Sequence, residues 1–99
     1  MDDHHEPPLD DAGRQAILAA IGVQIREARQ ERGWYLSEVA ERMNISTSVV
    51  CRLELARREP SLHQLISVSA VLGRRFSDIL RIAEDEAFPL GRAPWNTLF

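Results

Sequence analysis

The sequence predicts an all-α fold, a bundle of five helices, and three observations lead to this prediction. Apolar residues recur at spacings of three and four in five successive segments, which is the period of one helix face. Glycine, proline and asparagine residues lie between these segments and favour turns. No segment alternates apolar and polar residues as a half-buried strand would. The 99 residues are enough for one core, so we expect a single domain over residues 12–86.

The first helix is predicted to begin at a cap formed by Asp10 or Asp11 and to end near Arg32. Its expected apolar face consists of Ile17, Ile21, Ile25 and Ala28. Gly33 follows this helix and suits a left-handed C-terminal position. Gly22 lies inside the helix, where a glycine is unfavourable, so we expect it to mark a close contact with a neighbouring helix.

Residues 36–55 predict two short helices joined by a tight turn. Their expected inward positions are Val39, Ala40, Met43, Ile45, Val50 and Leu53. The helical register breaks at Asn44, a residue type that tolerates the left-handed conformation. Ser46 is the expected N-cap of the second of these helices. Helical geometry then turns four residues of that helix toward solvent: Thr47, Ser48, Cys51 and Arg52.

Two more helices complete the predicted bundle. Pro60 ends the loop after Leu55, and Ser61 is suited to cap the fourth helix, which ends at Gly73. The expected inward positions of this helix are Leu62, Leu65, Val68 or Ser69, and Leu72. A fifth helix is predicted to follow Ser77. Its expected apolar side consists of Phe76, Ile79, Leu80 and Ala83.

The two ends of the chain differ in composition. Residues 1–11 are acidic and contain nothing to bury, so a disordered arm is expected, which either keeps the chain soluble or competes with an anionic ligand for the arginines. His4 and His5 in this arm are not expected to bind a metal. Residues 87–99 are predicted to be a tail that either folds back over its own core or contacts a second subunit or a partner protein. The apolar residues of the tail are Phe88, Leu90, Trp95, Leu98 and Phe99.

The net charge of −3 is unevenly distributed along the chain. Residues 14–82 hold eleven arginines and seven acids, a net charge of +4, between acidic ends. No apolar run approaches the length of a membrane span, and the single cysteine, Cys51, agrees with a reducing compartment, so a cytoplasmic protein is expected. The sequence contains no evident nucleophile with a base, carboxylate pair or metal cluster, so we expect neither an enzyme nor a cofactor.

Residues distributed over 21–80 together follow the pattern of a known domain: Ile25, Arg29, Gly33, Val39, Ala40, Met43, Asn44, Ile45, Ser46, Val50, Arg52, Leu53, Glu54, Arg57, Arg58, Pro60, Ser61, Leu62, Leu72 and Gly73. This pattern resembles the helix-turn-helix domain of the Cro and phage-repressor type, also called XRE-like. The resemblance implies a repressor-like transcriptional regulator that binds double-stranded DNA as a homodimer. The helix after Ser46 would then enter a major groove in each half-site.

The resemblance also implies roles for individual residues. Base contacts are expected from Thr47, Ser48, Cys51 and Arg52. Phosphate contacts are expected from Arg42, Ser46, Arg57 and Arg58. A buried ion pair is expected between Arg29 and Glu54. Among the base-contacting residues, the arginine is suited to a forked pair with guanine.

Three positions depart from the family pattern. Leu36 stands where a glutamine usually helps to grip phosphate, Tyr35 where a serine or threonine usually caps the second helix, and Ala56 where a glycine usually follows the third. The cap is missing unless Glu38 compensates, and Ala56 is strained if its φ angle is positive. Tyr35 and Leu36 leave an alternative open, in which they form an exposed apolar contact. The scaffold would then be a protein-interaction module such as an antitoxin, a restriction-modification controller or an adaptor.

Overall fold

The computed structural model describes residues 11–89. This part of the chain forms five α-helices and no strand, which confirms the all-α prediction. The helices are α1 (Asp11–Glu31), α2 (Leu36–Met43), α3 (Thr47–Glu54), α4 (Leu62–Leu72) and α5 (Phe76–Ala87). The predicted arm up to Asp10, with His4 and His5, and the tail residues Leu90, Trp95, Leu98 and Phe99 lie outside the described residues. No helix of the described part combines the length and the apolar character needed to cross a membrane.

The longest helix, α1, packs against α3, α4 and α5. Its predicted inward positions lie in the core or at the edge of it: Ile17, Ile21, Ile25 and Ala28. Two polar contacts show that α5 runs antiparallel to α1. Arg74, just before α5, pairs with Glu31 at the end of α1, whereas the Gln24 amide donates to a Glu86 carboxylate oxygen (3.3 Å) near the end of α5. The helix α1 therefore forms the support on which the shorter helices are arranged.

Gly22 lies where α1 crosses the C-terminal end of α3. A Cβ atom on Gly22 would lie 2.9 Å from the carbonyl carbon of Glu54 and 2.9 Å from the carbonyl oxygen of Leu53, and closer still to the Glu54 oxygen. These are backbone atoms, which cannot move aside as the end of a flexible side chain can. The predicted close contact at Gly22 is therefore confirmed, and it sets the distance between α1 and α3.

The corner between α2 and α3 is formed by local interactions that the sequence predicted. Asn44 has a φ of 58° and a ψ of 45°, the left-handed conformation. The Ser46 hydroxyl accepts a hydrogen bond from the Val49 amide at 3.2 Å and so caps α3. At the start of α2, the Glu38 carboxylate accepts a hydrogen bond from the Tyr35 amide at 2.8 Å, and no side-chain cap comes from Tyr35. Glu38 thus supplies the compensating half of a capping box.

The predicted cap of α4 is confirmed. The Ser61 hydroxyl accepts from the Gln64 amide at 3.0 Å, and the Gln64 side chain accepts from the Ser61 amide at 3.1 Å. Leu62, predicted to point inward, is instead 64% exposed. It precedes the buried part of α4, which begins at Leu65, and it shares the outer side of the helix with Ile66, which is 48% exposed.

The fifth helix begins earlier than predicted, at Phe76 and not after Ser77. Arg75 occupies the N-cap position without a side-chain hydrogen bond, and its carbonyl oxygen accepts from the amides of Asp78 (2.9 Å) and Ile79 (3.1 Å). The Asp78 carboxylate then lies in the first turn, where it interacts favourably with the helix dipole. The start of α5 is therefore stabilised by a charge in its first turn and not by a side-chain cap.

Ala56 has a φ of +58°, so the residue that replaces the family's glycine adopts a left-handed conformation. The left-handed conformation costs a non-glycine residue roughly 1–2 kcal/mol. A glycine at this position would remove that cost, but it would also stabilise the unfolded chain by increasing its conformational entropy, which offsets part of the gain. We therefore expect Ala56→Gly to raise the free energy of unfolding by about 0.5–1 kcal/mol in urea denaturation. The matched control is Ala70→Gly on the exposed side of α4, which should lower it by about 1 kcal/mol. A loss of stability in both variants would contradict the strain at Ala56.

Candidate nucleic-acid interface

The two sides of α3 differ in exposure and in chemistry. Val50 and Leu53 are 0% and 2% exposed and fix the helix to the core. On the other side Thr47, Ser48 and Arg52 are exposed, and Cys51, a free thiol, is partly buried. The outer side of α3 therefore presents short side chains and one long cation, while the inner side is locked to the bundle.

Two of the candidate base-contacting residues bind each other. The Arg52 guanidinium donates from Nη2 to the Ser48 hydroxyl oxygen at 2.8 Å. The residues are four apart on the helix, so they are neighbours on the same face. Among residues 11–89, no carboxylate pairs with Arg52. The guanidinium is thus oriented by a neutral hydroxyl group, and its positive charge is not neutralised by a carboxylate. Sequence reasoning did not predict this contact.

Arg57 and Arg58 lie in the loop that follows α3, and both are exposed. The Arg57 amide donates to the Arg52 carbonyl oxygen at 2.9 Å, so the loop begins directly beside the last turn of α3. Neither side chain pairs with an acid within the described part of the chain. The structure therefore shows two exposed arginines in the loop that begins at the last turn of α3.

The loop is tied to the first turns of α1, a contact that the sequence did not indicate. The Gln15 amide group donates to the Ala56 carbonyl oxygen at 3.1 Å, and Arg14 pairs with Glu59 at 2.8 Å. These residues are 41 and 45 positions apart, and no local pattern connects them. Both side chains of the ion pair are more than half exposed, so it contributes at most about 1 kcal/mol. The contacts limit the movement of the loop that carries Arg57 and Arg58.

Arg42 and Leu36 differ from the other candidate residues. The Arg42 guanidinium lies over the Trp34 ring, 4.1 Å from its centroid, and donates to the Glu38 carbonyl oxygen at 3.2 Å. It is therefore held by α2 and Trp34 and not by the α3 face. Leu36 packs against the core, whereas Tyr35 is 76% exposed. The alternative in which Tyr35 and Leu36 form an exposed apolar contact is therefore wrong for Leu36, whose side chain faces the core. Tyr35 remains available for such a contact.

The ion pair that the resemblance implied is present. Arg29 donates from Nε to Glu54 Oε2 at 2.7 Å and from Nη2 to Oε1 at 3.0 Å, and its Nη1 donates to the Trp34 carbonyl oxygen at 2.9 Å. The side chains of Arg29 and Glu54 are 14% and 6% exposed. The hydrogen bond to Glu54 raises the pKa of Arg29, so this group stays charged. The forked pair joins α1 to the last residue of α3 and holds α3 in place from inside the bundle.

No group of three or more histidine, cysteine, aspartate or glutamate residues in the described part of the chain is arranged to hold a metal ion. The candidate residues in α3, at its N-cap and in the loop that follows it are exposed, except for the partly buried cysteine: Ser46, Thr47, Ser48, Cys51, Arg52, Arg57 and Arg58. The surface of these residues, called the α3 face below, is a ridge of short side chains bordered by three arginines. A ridge of this kind is suited to enter a groove between two rows of negative charge.

Comparison with known proteins places this geometry in context. The model of the helix-turn-helix family matches residues 25–79, more than half of the chain. The chain is 38% identical over 61 residues to the HTH-type transcriptional regulator DdrOP3 of Deinococcus deserti, a match that covers 62% of this chain and 47% of that protein. It is also 38% identical over 64 residues to an HTH-type transcriptional regulator of Methanothermobacter thermautotrophicus, a match that covers 64% of this chain and 93% of that protein. The match thus spans about half the length of the first relative and nearly all of the second.

The solved structures that resemble this one include two of the clp gene regulator ClgR of Corynebacterium glutamicum. One superposes with a TM-score of 0.64 at 34% identity and covers 68% of this chain and 87% of that chain. The other has a TM-score of 0.68 at 32% identity and covers 72% and 76%. The fold of the matched part of this chain is therefore shared with a regulator of related sequence.

Proposed function

This chain belongs to the helix-turn-helix family of transcriptional regulators, and we propose that it binds specific DNA sites as a homodimer and acts as a repressor. The observation that carries the proposal is the asymmetry of α3, which has one side locked in the core and the other side exposed and carrying Arg52. Repression is the proposed mode because a protein bound at an operator blocks polymerase without a further protein contact. The cytoplasm is the proposed compartment.

The shape of the α3 face fits a major groove. The groove is about 12 Å wide and admits one α-helix, provided that the side chains facing the bases are not bulky. Thr47, Ser48 and Cys51 are short and allow close approach. Arg52 is long enough to reach base edges, and its fork of donors matches the two acceptors of guanine. We propose these four residues as the base contacts.

Phosphate contacts are proposed for residues that flank the base-contacting side chains. Arg57 and Arg58 are exposed and carry no ion pair with an acid of residues 11–89. Ser46 lies at the N-terminus of α3, where backbone amides attract anions. Its hydroxyl oxygen accepts from the Val49 amide, so the hydroxyl hydrogen remains able to donate to a phosphate oxygen. Arg42 is exposed, but its guanidinium lies over the Trp34 ring and one of its donors binds the Glu38 carbonyl oxygen, so we rank it below the other three.

The homodimer would place one α3 in each of two half-sites about one helical turn apart. We propose that the segment that starts at Phe88 carries the contact between subunits. The alternative is that this segment folds back on its own core. Sites selected from random DNA would report the symmetry, because two identical subunits favour a palindrome, whereas a monomer favours a single half-site.

The central experiment compares Arg52→Ala with the parent protein on a selected operator. We expect the loss of the forked contact to weaken operator binding by about 1–3 kcal/mol, roughly 5- to 150-fold, and to relax discrimination at one base pair of each half-site. The measurement is a titration against operators with all four bases at each position. Equal affinity and equal discrimination for the variant and the parent would contradict the assignment of Arg52.

Arg57→Ala is the matched control for that experiment, because it removes a guanidinium beside the base-reading residues. We expect it to weaken binding to operator and random DNA alike and to lower the slope of log affinity against log salt concentration by about one. If Arg57→Ala relaxes discrimination at a base pair instead, the division between base and phosphate contacts is wrong.

A protein-interaction module is the second candidate function, and exposed apolar side chains favour it. Tyr35 is 76% exposed, and Leu55, Leu62 and Ile66 are between 48% and 64% exposed. Antitoxins and restriction-modification controllers also bind DNA, so among these readings a pure adaptor is the one that excludes the first proposal. A gel shift with genomic fragments separates the two, because an adaptor retards no fragment.

A further inference from the structure

We propose that Ser48 is a positioning residue, which holds the Arg52 guanidinium in the orientation that reads guanine. This inference rests on the proposed function and deepens it, since it gives Ser48 a second role, which acts through Arg52, beside the base contact proposed above. The observation behind it is the hydrogen bond from Arg52 Nη2 to the Ser48 hydroxyl oxygen at 2.8 Å, formed between two exposed residues on the α3 face.

An unrestrained arginine on a helix surface samples many rotamers and loses this freedom when it binds. The rotamer entropy of an arginine side chain amounts to about 2 kcal/mol, so a partner that selects one orientation before binding lowers the cost of reading a base. Ser48 is the side-chain partner that the structure gives Arg52 within residues 11–89. Its position four residues earlier places the hydroxyl beside the arginine stem, on the side of the helix that faces outward.

Arg52 can still bind guanine while it is hydrogen-bonded to Ser48. A guanidinium has five N–H donors, and the bond to Ser48 uses one of them. The remaining donors still include two adjacent ones, which is the number that the two acceptors of guanine require. The serine hydroxyl is neutral, so it orients the cation without reducing its charge. A carboxylate in the same place would neutralise the arginine and repel the phosphates on both sides of the groove.

The contrast with the other arginines near the helix-turn-helix corner supports this assignment. Arg29 is held by the Glu54 carboxylate and is largely buried, and Arg42 is held against the Trp34 ring. Each of these guanidinium groups is held against another part of the bundle. Arg52 is held by a residue of its own helix and stays exposed. Arg42 is exposed as well, but its guanidinium lies against the Trp34 ring. Of these three, Arg52 is therefore the one that is oriented without being held against another segment of the chain.

The test is a double-mutant cycle with Ser48→Ala, Arg52→Ala and the double variant. Each is titrated against operators that carry every base at the position where Arg52→Ala relaxes discrimination. We expect Ser48→Ala to lower the preference for guanine at that position by about threefold to tenfold, which corresponds to the net contribution of a typical intramolecular hydrogen bond. The double variant should discriminate no less than Arg52→Ala. Ser48→Thr, which keeps the hydroxyl, should restore the parental preference.

Two outcomes would overturn the proposal. An unchanged preference in Ser48→Ala shows that Arg52 does not need its partner. A loss confined to a different base pair and additive with Arg52→Ala shows that Ser48 contacts a base but does not position Arg52. Ser48→Ala replaces an exposed residue by a better helix former, so folding should be preserved, and circular dichroism of each variant checks this.

A measurement without DNA separates failure of this inference from failure of the proposed function. Nitrogen-15 relaxation at Arg52 Nε in the free protein should show greater mobility in Ser48→Ala than in the parent, and parental mobility in Ser48→Thr. If the parent shows this pattern but binds no DNA, the pair exists and the regulator function fails. If the parent binds its operator while Arg52 is equally mobile in all three proteins, the regulator function stands and the positioning role of Ser48 fails.

Discussion

Replacing Glu54 with alanine is expected to lower the free energy of unfolding by about 3–4 kcal/mol. The variant leaves the Arg29 guanidinium, whose side chain is 14% exposed, without its carboxylate partner. One hydrogen bond, to the Trp34 carbonyl oxygen at 2.9 Å, would remain, so the expected loss lies in the lower part of the range for a broken buried pair. Urea denaturation followed by circular dichroism measures the change.

The chain offers a matched control in a second, exposed pair. Arg14 and Glu59 also form an ion pair with a distance of 2.8 Å, but their side chains are 52% and 59% exposed. Glu59→Ala should therefore change the free energy of unfolding by less than about 1 kcal/mol. If Glu54→Ala costs no more than Glu59→Ala, the Arg29–Glu54 pair does not brace the bundle.

A further variant distinguishes two causes of the lost stability: the buried Arg29 charge that is left unpaired, and the loss of the contact between Arg29 and Glu54. Arg29→Met combined with Glu54→Leu removes both charges and retains apolar volume, and such replacements are often neutral or stabilising. We expect the double variant to recover at least half of the stability that Glu54→Ala loses. A double variant that is as unstable as Glu54→Ala would show that the geometry of the pair matters more than its charge.

Local chemistry explains which features the sequence could predict. Asn44, Ser46, Ser61 and Gly33 act within a few residues of themselves, through a left-handed turn or a cap, and their roles in the structure match the prediction. The inward positions of α1 followed from a repeated spacing of three and four. A feature that depends only on interactions within one or two helical turns can be predicted from the sequence alone.

Features that depend on how the helices meet were harder to predict. Leu36 and Leu62 are both leucines at the first position of a helix, α2 and α4 respectively. Leu36 packs against the core, whereas Leu62 is exposed. Periodicity identifies an apolar face but not where the neighbouring helix ends. The Arg29–Glu54 pair spans 25 positions and was expected from the family resemblance, not from local spacing. The Gln15 contact with the Ala56 carbonyl had no sequence signal at all.

The Ser48–Arg52 contact is a different case, because its spacing of four residues is local and was visible in the sequence. Spacing alone does not distinguish two side chains that bind each other from two that each contact a base. Surface side chains also have many alternative rotamers, and spacing alone does not select one of them. The residues of the α3 face were therefore predictable as a set, whereas the interaction between them required coordinates.

Gly22→Val is expected to lower the free energy of unfolding by about 3 kcal/mol and to weaken DNA binding per folded molecule. The added Cβ alone would lie 2.9 Å from the Glu54 carbonyl carbon and from the Leu53 carbonyl oxygen. Because both contacts are with backbone, α1 and α3 must separate, and the expected loss lies at the upper end of the range for overpacking. Urea denaturation measures the stability, and operator titration measures the binding.

Gly33→Ala separates these two effects, since a Cβ on Gly33 meets no atom within 4 Å although its φ is +67°. We expect this control to lose about 1–2 kcal/mol of stability from backbone strain and to retain operator affinity, because α3 does not move. Gly22→Val should instead shift the amide resonances of α3, whose last residues contact α1 directly. If both variants lose stability and neither loses affinity, then the distance between α1 and α3 does not control how the α3 face meets DNA.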